Sequence, residues 1–291
     1  MGRTVGIVGV GNMGGGIAAH LLERGWAVQA CDLVRDKVQA LQRQGARAAA
    51  TPAEASSGAQ ALILCVVDAS QARDVLFGPS GGAAALRPGA AVLLCPTIAP
   101  SDVEAIAARL QERGLHAIDA PMSGGPARAR DGSMSLMIAC PDDVFEAQRP
   151  LLEALSTKLF RVGTRPGDGA RTKLVNNLLA AVNLAGAAEA IALAERLGLQ
   201  AGPTLDVIEQ SSGQSWIGSD RMRRAIAGDW SPRAHVTLLQ KDTRLALEAA
   251  RAAGFEGTLG PVAHEAFNRA VAAGDADLDD AALLRLYRGV R

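Results

Sequence analysis

Residues 4–14 read TVGIVGVGNMG. The first five form an apolar run of strand type, and the remainder is a G-x-G-x-x-G turn of the kind that opens a helix. In such a turn Gly9 makes the bend, Gly11 lets the backbone approach a pyrophosphate, and Gly14 lets the helix pack closely on the strand. The N–H groups at the start of that helix favour phosphates. The stretch therefore predicts a strand, turn and helix that bind a dinucleotide.

An acidic residue follows at the distance that such a site requires. Residues 26–31 predict a second strand, which ends at Asp32. A carboxylate at this position accepts hydrogen bonds from the adenosine ribose and repels a 2′-phosphate, so we predict NAD rather than NADP. Two alternatives stay open: Asp32 could cap a helix that begins near Val34, and Arg35 and Lys37 could accommodate a 2′-phosphate.

Strand-like and helix-like segments alternate through the first half of the chain. This alternation predicts crossover connections and an α/β fold with a mostly parallel, doubly wound sheet. Within it, Ser101 and Glu104 form a capping box that predicts a helix through Leu110. The predicted strands are 4–8, 26–31, 61–67, 90–95, 116–120 and 135–139. The helices predicted after the one that follows the glycine turn include 70–76, 101–110 and one that begins at Asp142.

The pattern changes near Arg165, where strand-like runs disappear and alanine- and leucine-rich helical spacing continues to Leu197. We expect residues 1–164 to form a Rossmann NAD(P)-binding domain and residues 165–291 an all-helical substrate and oligomerisation domain, joined by a long interdomain helix. Because the apolar face of so long a helix needs a cover, we expect a homodimer or homotetramer. Later helices are predicted from Thr204 and over 234–253, 261–272 and 280–287.

Composition excludes several other classes of protein. The 291 residues have a formal net charge of zero and no basic run, so a nucleic-acid or membrane-surface role has no electrostatic support. We find no leader and no uninterrupted apolar run that could span a bilayer, and we expect a cytoplasmic protein without a metal site. Reduced, buried cysteines are predicted at Cys31, Cys65, Cys95 and Cys140, which lack metal-ligand spacing.

The first chemical motif is GDGARTKLVNNLLAAV at residues 167–182. Lys173 and Asn177 are spaced i to i+4, so an amine and an amide share one helix face and could hold the same substrate oxygen. A solvated helix lysine is the alternative interpretation. The glycines before Lys173 and the apolar helix around it favour a proton-transfer site instead.

The second motif is DAPMSGGP at residues 119–126, where a predicted strand ends. Ligands bind at the carboxyl ends of strands in open α/β sheets. The Ser123 hydroxyl, followed by Gly124 and Gly125, offers donors suited to a carboxylate. The alternative is a flexible turn without a ligand.

Together with Gly132 and with Lys241-Asp242 in QKDTRLAL, these motifs resemble the β-hydroxyacid dehydrogenase family over essentially the whole chain. That family includes 3-hydroxyisobutyrate dehydrogenase and 2-hydroxy-3-oxopropionate (tartronate semialdehyde) reductase. The resemblance implies NAD-dependent hydride transfer to or from a short-chain hydroxyacid, with Lys173 as general acid and base. Asn177 would assist, and Ser123, Gly124 and Gly125 would bind the substrate carboxylate. The implied cofactor contacts are Gly9, Gly11, Asn12, Met13, Gly14, Asp32, Val66, Val67, Thr97 and Lys241.

Two stretches bear on the substrate. Residues 75–89 and SSGQSW at 211–216 resemble family members that act on four-carbon sugar acids such as L-threonate. Trp216 and Ser212 would then line the substrate pocket, although Trp216 could also be a core residue at a helix end. Gln214 departs from the asparagine that such members commonly carry.

Other functions remain open at this stage. Within the family, the alternatives are 3-hydroxyisobutyrate dehydrogenase and tartronate semialdehyde reductase. Retention of Lys173 and Asn177 argues against an imine reductase. A decarboxylating relative of 6-phosphogluconate dehydrogenase needs a binding site for a substrate phosphate, and the sequence shows no clear arginine cluster for one. An NAD-binding sensor without turnover is the alternative from a different class.

Overall fold

The computed structural model describes residues 3–289. The chain forms two compact units, residues 1–173 and 174–291, and the boundary between them falls inside one long helix.

The first unit is built on a nine-stranded, mostly parallel sheet with the order β3-β2-β1-β4-β5-β6-β8-β7, and β9 pairs with β8. Strands β1 to β6 run parallel to one another, whereas β8 is antiparallel to β6 and β7. The strands are β1 (Thr4–Val8), β2 (Ala27–Cys31), β3 (Arg47–Ala48), β4 (Ala61–Leu64), β5 (Ala91–Leu94), β6 (His116–Asp119), β7 (Met122–Ser123), β8 (Ser135–Ala139) and β9 (Lys158–Gly163).

Both faces of this sheet are buried at its central strands. In β4, Ala61 and Ile63 belong to one apolar cluster, and Leu62 and Leu64 belong to a second cluster. Strands with two buried faces read as continuous apolar runs, as residues 61–64 do. The helices of the first unit are α1 (Asn12–Glu23), α2 (Arg35–Gln42), α3 (Pro52–Ser56), α4 (Ala69–Phe77), α5 (Pro100–Gln111), α6 (Gly125–Asp131) and α7 (Asp142–Leu155), with a 3-10 turn at Gly82–Ala85.

The capping box predicted at Ser101 is wrong. Helix α5 begins one residue earlier, at Pro100, and its N-cap is Ala99, which makes no side-chain cap. Proline is well suited to the first helical position because its φ is already helical and its missing N–H is not needed there. Glu104 instead forms an ion pair with Arg171 at 2.5 Å.

The second unit is entirely helical among its described residues. Phe267 is fully buried in an apolar cluster that also contains Leu184 and Ile191. The helix expected from Thr204 begins earlier, at Ala201, and a helix that was not predicted follows it. The helices are α8 (Asp168–Arg196), which starts in the first unit, α9 (Ala201–Glu209), α10 (Trp216–Ile226), α11 (Val236–Ala252), α12 (Leu259–Ala270) and α13 (Leu283–Arg288), with short turns at Val271–Asp275 (π) and Asp280–Ala282 (3-10).

Helix α8 is the one helix of residues 3–289 that is long and apolar enough to cross a membrane by length and composition. Its buried side chains include Lys173 and Asn177, and Ala181, Leu184 and Ala188 lie in the core of the second unit. Buried polar side chains and core contacts of this kind identify α8 as the core helix of a soluble protein.

A buried ion cluster joins α10 to the 3-10 turn at Asp280–Ala282. Arg221 Nε donates to Asp280 Oδ1 at 2.5 Å, and Arg224 Nη2 donates to Asp279 Oδ1 at 2.8 Å. Asp279 Oδ2 also accepts from the Arg233 backbone N–H at 2.8 Å. Removing one member of a buried pair leaves an uncompensated charge in the interior.

Arg221→Met should therefore destabilise the protein by about 3–5 kcal/mol, because it leaves the Asp280 carboxyl buried without its cation. Urea and thermal unfolding followed by circular dichroism measure the change. Arg149→Met is the matched control, since Arg149 pairs with Glu146 on an exposed helix surface. Equal loss of stability in the two variants would contradict a structural role of the buried cluster.

Candidate active site

The glycine turn has no room for side chains at two of its three glycines. A Cβ at Gly14 would lie 1.9 Å from the Gly9 carbonyl oxygen, and a Cβ at Gly9 would lie 2.6 Å from the Cys65 carbonyl oxygen. Gly9 also has a positive φ of 87°. Gly11 is the N-cap of α1 and has no side chain that could cover the first N–H groups of the helix. The backbone donors of this turn therefore fit a pyrophosphate.

The Asp32 carboxylate lies at the end of β2, beside this turn. Its Oδ2 accepts from the Val10 backbone N–H at 2.7 Å, and its Oδ1 accepts from the Val34 N–H at 2.8 Å. Asp32 is not the N-cap of α2, because that position is Val34, which makes no side-chain cap. The carboxylate is thus fixed where a ribose bound over the glycine turn would meet it.

Lys37 also reaches the glycine turn. Its Nζ lies 3.9 Å from the position that a Cβ of Gly11 would occupy. A cation beside the phosphate cradle favours a dinucleotide of either kind. The position of Lys37 therefore does not by itself distinguish NAD from NADP.

The other candidate residues of the first unit follow the parallel strands at the same sheet edge. Val66 and Val67 follow β4, and Thr97 follows β5. Ser123 lies in β7, which comes three residues after β6. The carboxyl ends of parallel strands meet at one edge, so these positions and the glycine turn share one side of the sheet.

The Ser123 loop has the backbone that its glycines permit. Gly124 has a φ of 127° and Gly125 a φ of 76°, and α6 begins at Gly125. Residues with a Cβ rarely adopt such angles. The result is a serine hydroxyl next to backbone that a small anion can approach closely.

Lys173 and Asn177 both lie on α8 and are separated by one helical turn. Each side chain is only 7% exposed. Lysine and asparagine are uncommon at buried positions unless they are partnered. This helix therefore places an amine and an amide on one face in surroundings that exclude most water.

A buried carboxylate holds Asn177 in the second unit. Asn177 Nδ2 donates to Asp242 Oδ2 at 2.6 Å, and Lys241 Nζ lies 3.0 Å from Asp242 Oδ1. The neighbouring Asn176 donates from its Nδ2 to Asn177 Oδ1 at 3.0 Å. Asp242 thus links two of the candidate residues, Asn177 and Lys241.

Trp216 is the first residue of α10 and is 43% exposed, so it is not the core tryptophan of the alternative interpretation. Its neighbour Ser215 caps the helix by accepting from the Gly218 N–H at 3.1 Å. Ser212 is exposed. Both stay predicted pocket residues.

The cysteines and acidic residues do not form a metal site within residues 3–289. Cys31, Cys95 and Cys140 are buried, Cys65 is half-buried, and all four are free thiols. Burial raises the pKa of the Cys140 thiol to about 11. The burial of three of the four thiols is typical of structural cysteines.

Comparison with known proteins agrees with this arrangement. Residues 4–163 match the family described as the NAD binding domain of 6-phosphogluconate dehydrogenase, and residues 167–287 match NAD-binding of NADP-dependent 3-hydroxyisobutyrate dehydrogenase. L-threonate dehydrogenase of Cupriavidus necator is 39% identical over 290 residues, which cover 100% of this chain and 98% of that protein. L-threonate dehydrogenase of Escherichia coli (strain K12) is 38% identical over 290 residues, with 98% and 95% covered.

A solved structure extends the likeness to three dimensions. A 3-hydroxyisobutyrate dehydrogenase from Salmonella typhimurium superposes with a TM-score of 0.92 at 37% identity, covering 97% of this chain and 99% of that one. An imine reductase from Pseudomonas sp., at 22% identity and a TM-score of 0.63, shares the fold alone.

Fold and sequence together define an oxidoreductase that uses a nicotinamide dinucleotide. The chain belongs to the β-hydroxyacid dehydrogenase family. Its cofactor is NAD, and its substrate is a small hydroxyacid.

The Asp32 geometry predicts the effect of a nearly isosteric change. Asp32→Asn should raise the Kd for NAD roughly 10- to 100-fold, because the variant loses a charged acceptor worth about 1.5–3 kcal/mol. Turnover at saturating NAD should change little, and the preference for NAD over NADP should narrow. Equilibrium titration and steady-state kinetics with both cofactors test this. Asp36→Asn, at an exposed acid in the first turn of α2, is the control. An unchanged Kd in Asp32→Asn would contradict the ribose assignment.

Proposed function

We propose that this dehydrogenase oxidises a four-carbon sugar acid, with L-threonate as the preferred substrate, and that Lys173 is its general base. Several relatives at 35–39% identity are named L-threonate dehydrogenase. Proteins named 3-hydroxyisobutyrate dehydrogenase are 33% identical in Pseudomonas aeruginosa and 37% identical in Salmonella typhimurium, and the NAD-dependent L-serine dehydrogenase of Pseudomonas aeruginosa is 33% identical. The observation that carries the catalytic part is the buried Lys173, placed one turn before Asn177 on α8.

Substrate binding begins with the carboxylate. The Ser123 hydroxyl and the backbone N–H groups of the following glycines donate to its oxygens. A fixed carboxylate orients the carbon chain of the acid, so the hydroxyl to be oxidised is directed to one position. Orientation of this kind contributes to catalysis because the reacting groups no longer have to find each other.

Lys173 then accepts the proton of the substrate hydroxyl, and in the reverse direction it returns the proton to the carbonyl oxygen. Bound NAD supplies the hydride acceptor. A lysine accepts a proton through the lone pair of its neutral amine. The support for Lys173 in this role is its buried position one helical turn before Asn177, where an amine and an amide share one helix face.

Asn177 holds the same oxygen through its amide. Its Nδ2 already donates to Asp242, which fixes the plane of the amide. An amide fixed by a buried carboxylate does not need to reorganise during the reaction, and preorganised donors stabilise developing charge best.

We further propose that residues 1–164 bind the cofactor and that residues 165–291 carry substrate selection and oligomer contacts. The two family matches, which end at 163 and begin at 167, support this division. Trp216, Ser212 and Lys241 are proposed contacts from the second unit. A cytoplasmic location fits four reduced cysteines, since disulfides are rare in that compartment.

Lys173→Ala should lower turnover by roughly 10²- to 10⁴-fold, the range for loss of a general acid or base, while NAD still binds. Steady-state kinetics and NAD titration measure the two effects separately. Lys158→Ala, at an exposed position of β9, controls for removal of a lysine. Near-normal turnover of Lys173→Ala would remove Lys173 from the mechanism.

The substrate is tested by following NAD reduction with L-threonate, D-threonate, L- and D-erythronate, D-glycerate and 3-hydroxyisobutyrate. We expect the highest kcat/KM with L-threonate. A higher value with 3-hydroxyisobutyrate or with D-glycerate would replace the proposed substrate by that of 3-hydroxyisobutyrate dehydrogenase or tartronate semialdehyde reductase. NAD binding without turnover on any acid would favour the sensor function.

We propose a homodimer or homotetramer that buries an apolar stripe of α8. Val175, Leu179 and Leu193 are 71%, 61% and 57% exposed. Val175 and Leu179 are 4 residues apart, and Leu179 and Leu193 are 14 residues apart. At 3.6 residues per turn, both intervals are close to a whole number of turns, so the three side chains lie on one helix face. Exposed apolar side chains that share one face mark interaction surfaces, and a second copy of the chain presents the same face.

Leu193→Glu should therefore dissociate the oligomer, because it places a charge in an apolar interface. Sedimentation velocity of the variant and of the parent protein gives the two masses. Val207→Glu, at an equally exposed position on α9, is the control. A parent protein that sediments as a monomer, or a variant that keeps the parental mass, would contradict this interface.

A further inference from the structure

The buried carboxylate of Asp119 has no part in the reaction as described so far. Asp119 is the last residue of β6 and is only 1% exposed. Its Oδ2 accepts from the Gly167 N–H at 2.8 Å and from the Ala170 N–H at 3.0 Å. Asp119 thus caps the N-terminus of α8 from a position about 50 residues earlier in the chain.

This cap replaces one that the helix does not supply locally. The residue before α8 is Gly167, which has no side chain, and an N-cap side chain normally accepts from N–H groups of the first turn. Asp119 accepts from that turn instead. A negative charge at this end of a helix is also favoured by the helix dipole.

Glycines around the carboxylate make the close approach possible. A Cβ at Gly169 would lie 2.8 Å from Asp119 Cγ, and Gly167 has a positive φ of 98°. The sequence G-D-G at 167–169 therefore serves this contact. A larger residue at position 169 would displace either the carboxylate or the helix.

The same carboxylate connects the two proposed chemical motifs within the first unit. Ser123 follows Asp119 by four residues along the chain. Lys173 follows the capped Ala170 by three residues, a rise of about 4.5 Å along the helix axis. The cap thereby sets the distance between the carboxylate-binding loop and the proton-transfer group.

We propose that Asp119 is a positioning residue for the proton-transfer step, because its carboxylate fixes the first turn of α8 and with it the placement of Lys173 relative to the Ser123 loop. This inference rests on the proposed role of Lys173. A misplacement of about 1 Å between reacting groups can lower a rate on the order of 10²-fold.

The titration of Asp119 gives the proposal a distinctive signature. Burial raises its pKa to about 6, while the N–H groups of Ala170, Gly167 and Gly169 act in the opposite direction. A neutral carboxyl is a weaker acceptor, so the cap loosens as the pH falls through this value. The groups that face Asp119 are the charged Asp168, with the Arg171–Glu104 pair on the same helix turn, and the thiols of Cys95 and Cys140.

The test compares Asp119→Asn and Asp119→Ala with the control Asp168→Asn, which removes a charge from the same helix turn but keeps the cap. We expect Asp119→Ala to lower kcat on the order of 10²-fold with less than about a threefold change in the Kd for NAD. Asp119→Asn keeps an acceptor oxygen and should recover part of that loss. In the parent protein, log kcat should fall more steeply with decreasing pH below about 6 than it does above that pH. This additional decrease should be absent from Asp119→Asn and present in Asp168→Asn.

Two results would overturn the proposal: a kcat of folded Asp119→Ala within about twofold of Asp168→Asn, or an unchanged pH profile in Asp119→Asn. If Asp119→Ala does not fold, the profile of Asp119→Asn decides alone. The Lys173→Ala variant distinguishes a failure of the proposed function from a failure of the positioning role alone. High activity in that variant would refute the proposed function, whereas its inactivity together with normal Asp119 variants would refute only the positioning role.

Discussion

The contact between the backbone of Gly9 and that of Gly14 is the constraint on which the first unit depends. A Cβ at Gly14 would lie 1.9 Å from the Gly9 carbonyl oxygen, so any side chain there would push α1 away from β1. Helix α1 would then lose its packing on the sheet, and the N–H groups at its start would no longer converge on one phosphate position. The same close approach therefore determines a core contact and the phosphate cradle.

A second constraint is the start of α8. One helix carries both proposed catalytic side chains, so the contacts that hold its first turn also determine where Lys173 and Asn177 lie. Two buried carboxylates act along this helix: Asp119 accepts from its first backbone N–H groups, and Asp242 accepts from the Asn177 amide. A buried carboxylate is costly unless donors surround it. Asp119 accepts from backbone N–H groups at the start of α8, and Asp242 accepts from Asn177 and pairs with Lys241. The contacts that offset the cost of burying these carboxylates therefore also hold α8 and Asn177 in place.

The sequence predicted the parts of the structure that short-range patterns determine. The strands that start at Thr4 and His116 and the long helix over most of 165–197 were predicted because apolar runs and helical spacing are local signals. Strand β9 was missed because no residue of Lys158–Gly163 is fully buried and the segment carries no continuous apolar run; it is a strand because it pairs with β8. The cap at Ser101 was wrong because Pro100 starts the helix one residue earlier. The contacts of Asp119 and Asp242 could not be predicted, since they join residues 48 and 65 positions apart.

The difference between local sequence patterns and contacts between distant residues also explains why the reaction class is more readily inferred than the substrate. Carboxylate binding by a serine and two glycines, and proton transfer by a buried lysine, suit any short hydroxyacid, and their residues stand in compact motifs. Selection among such acids depends on the groups that meet the remaining carbons and hydroxyls. A site built to hydrogen-bond a substrate hydroxyl discriminates strongly, because the analogue without it leaves a buried polar group unpaired. L-threonate and 3-hydroxyisobutyrate differ in this respect. Ser212 and Gln214, which precede Trp216 in the chain, are the polar residues that we propose for this discrimination.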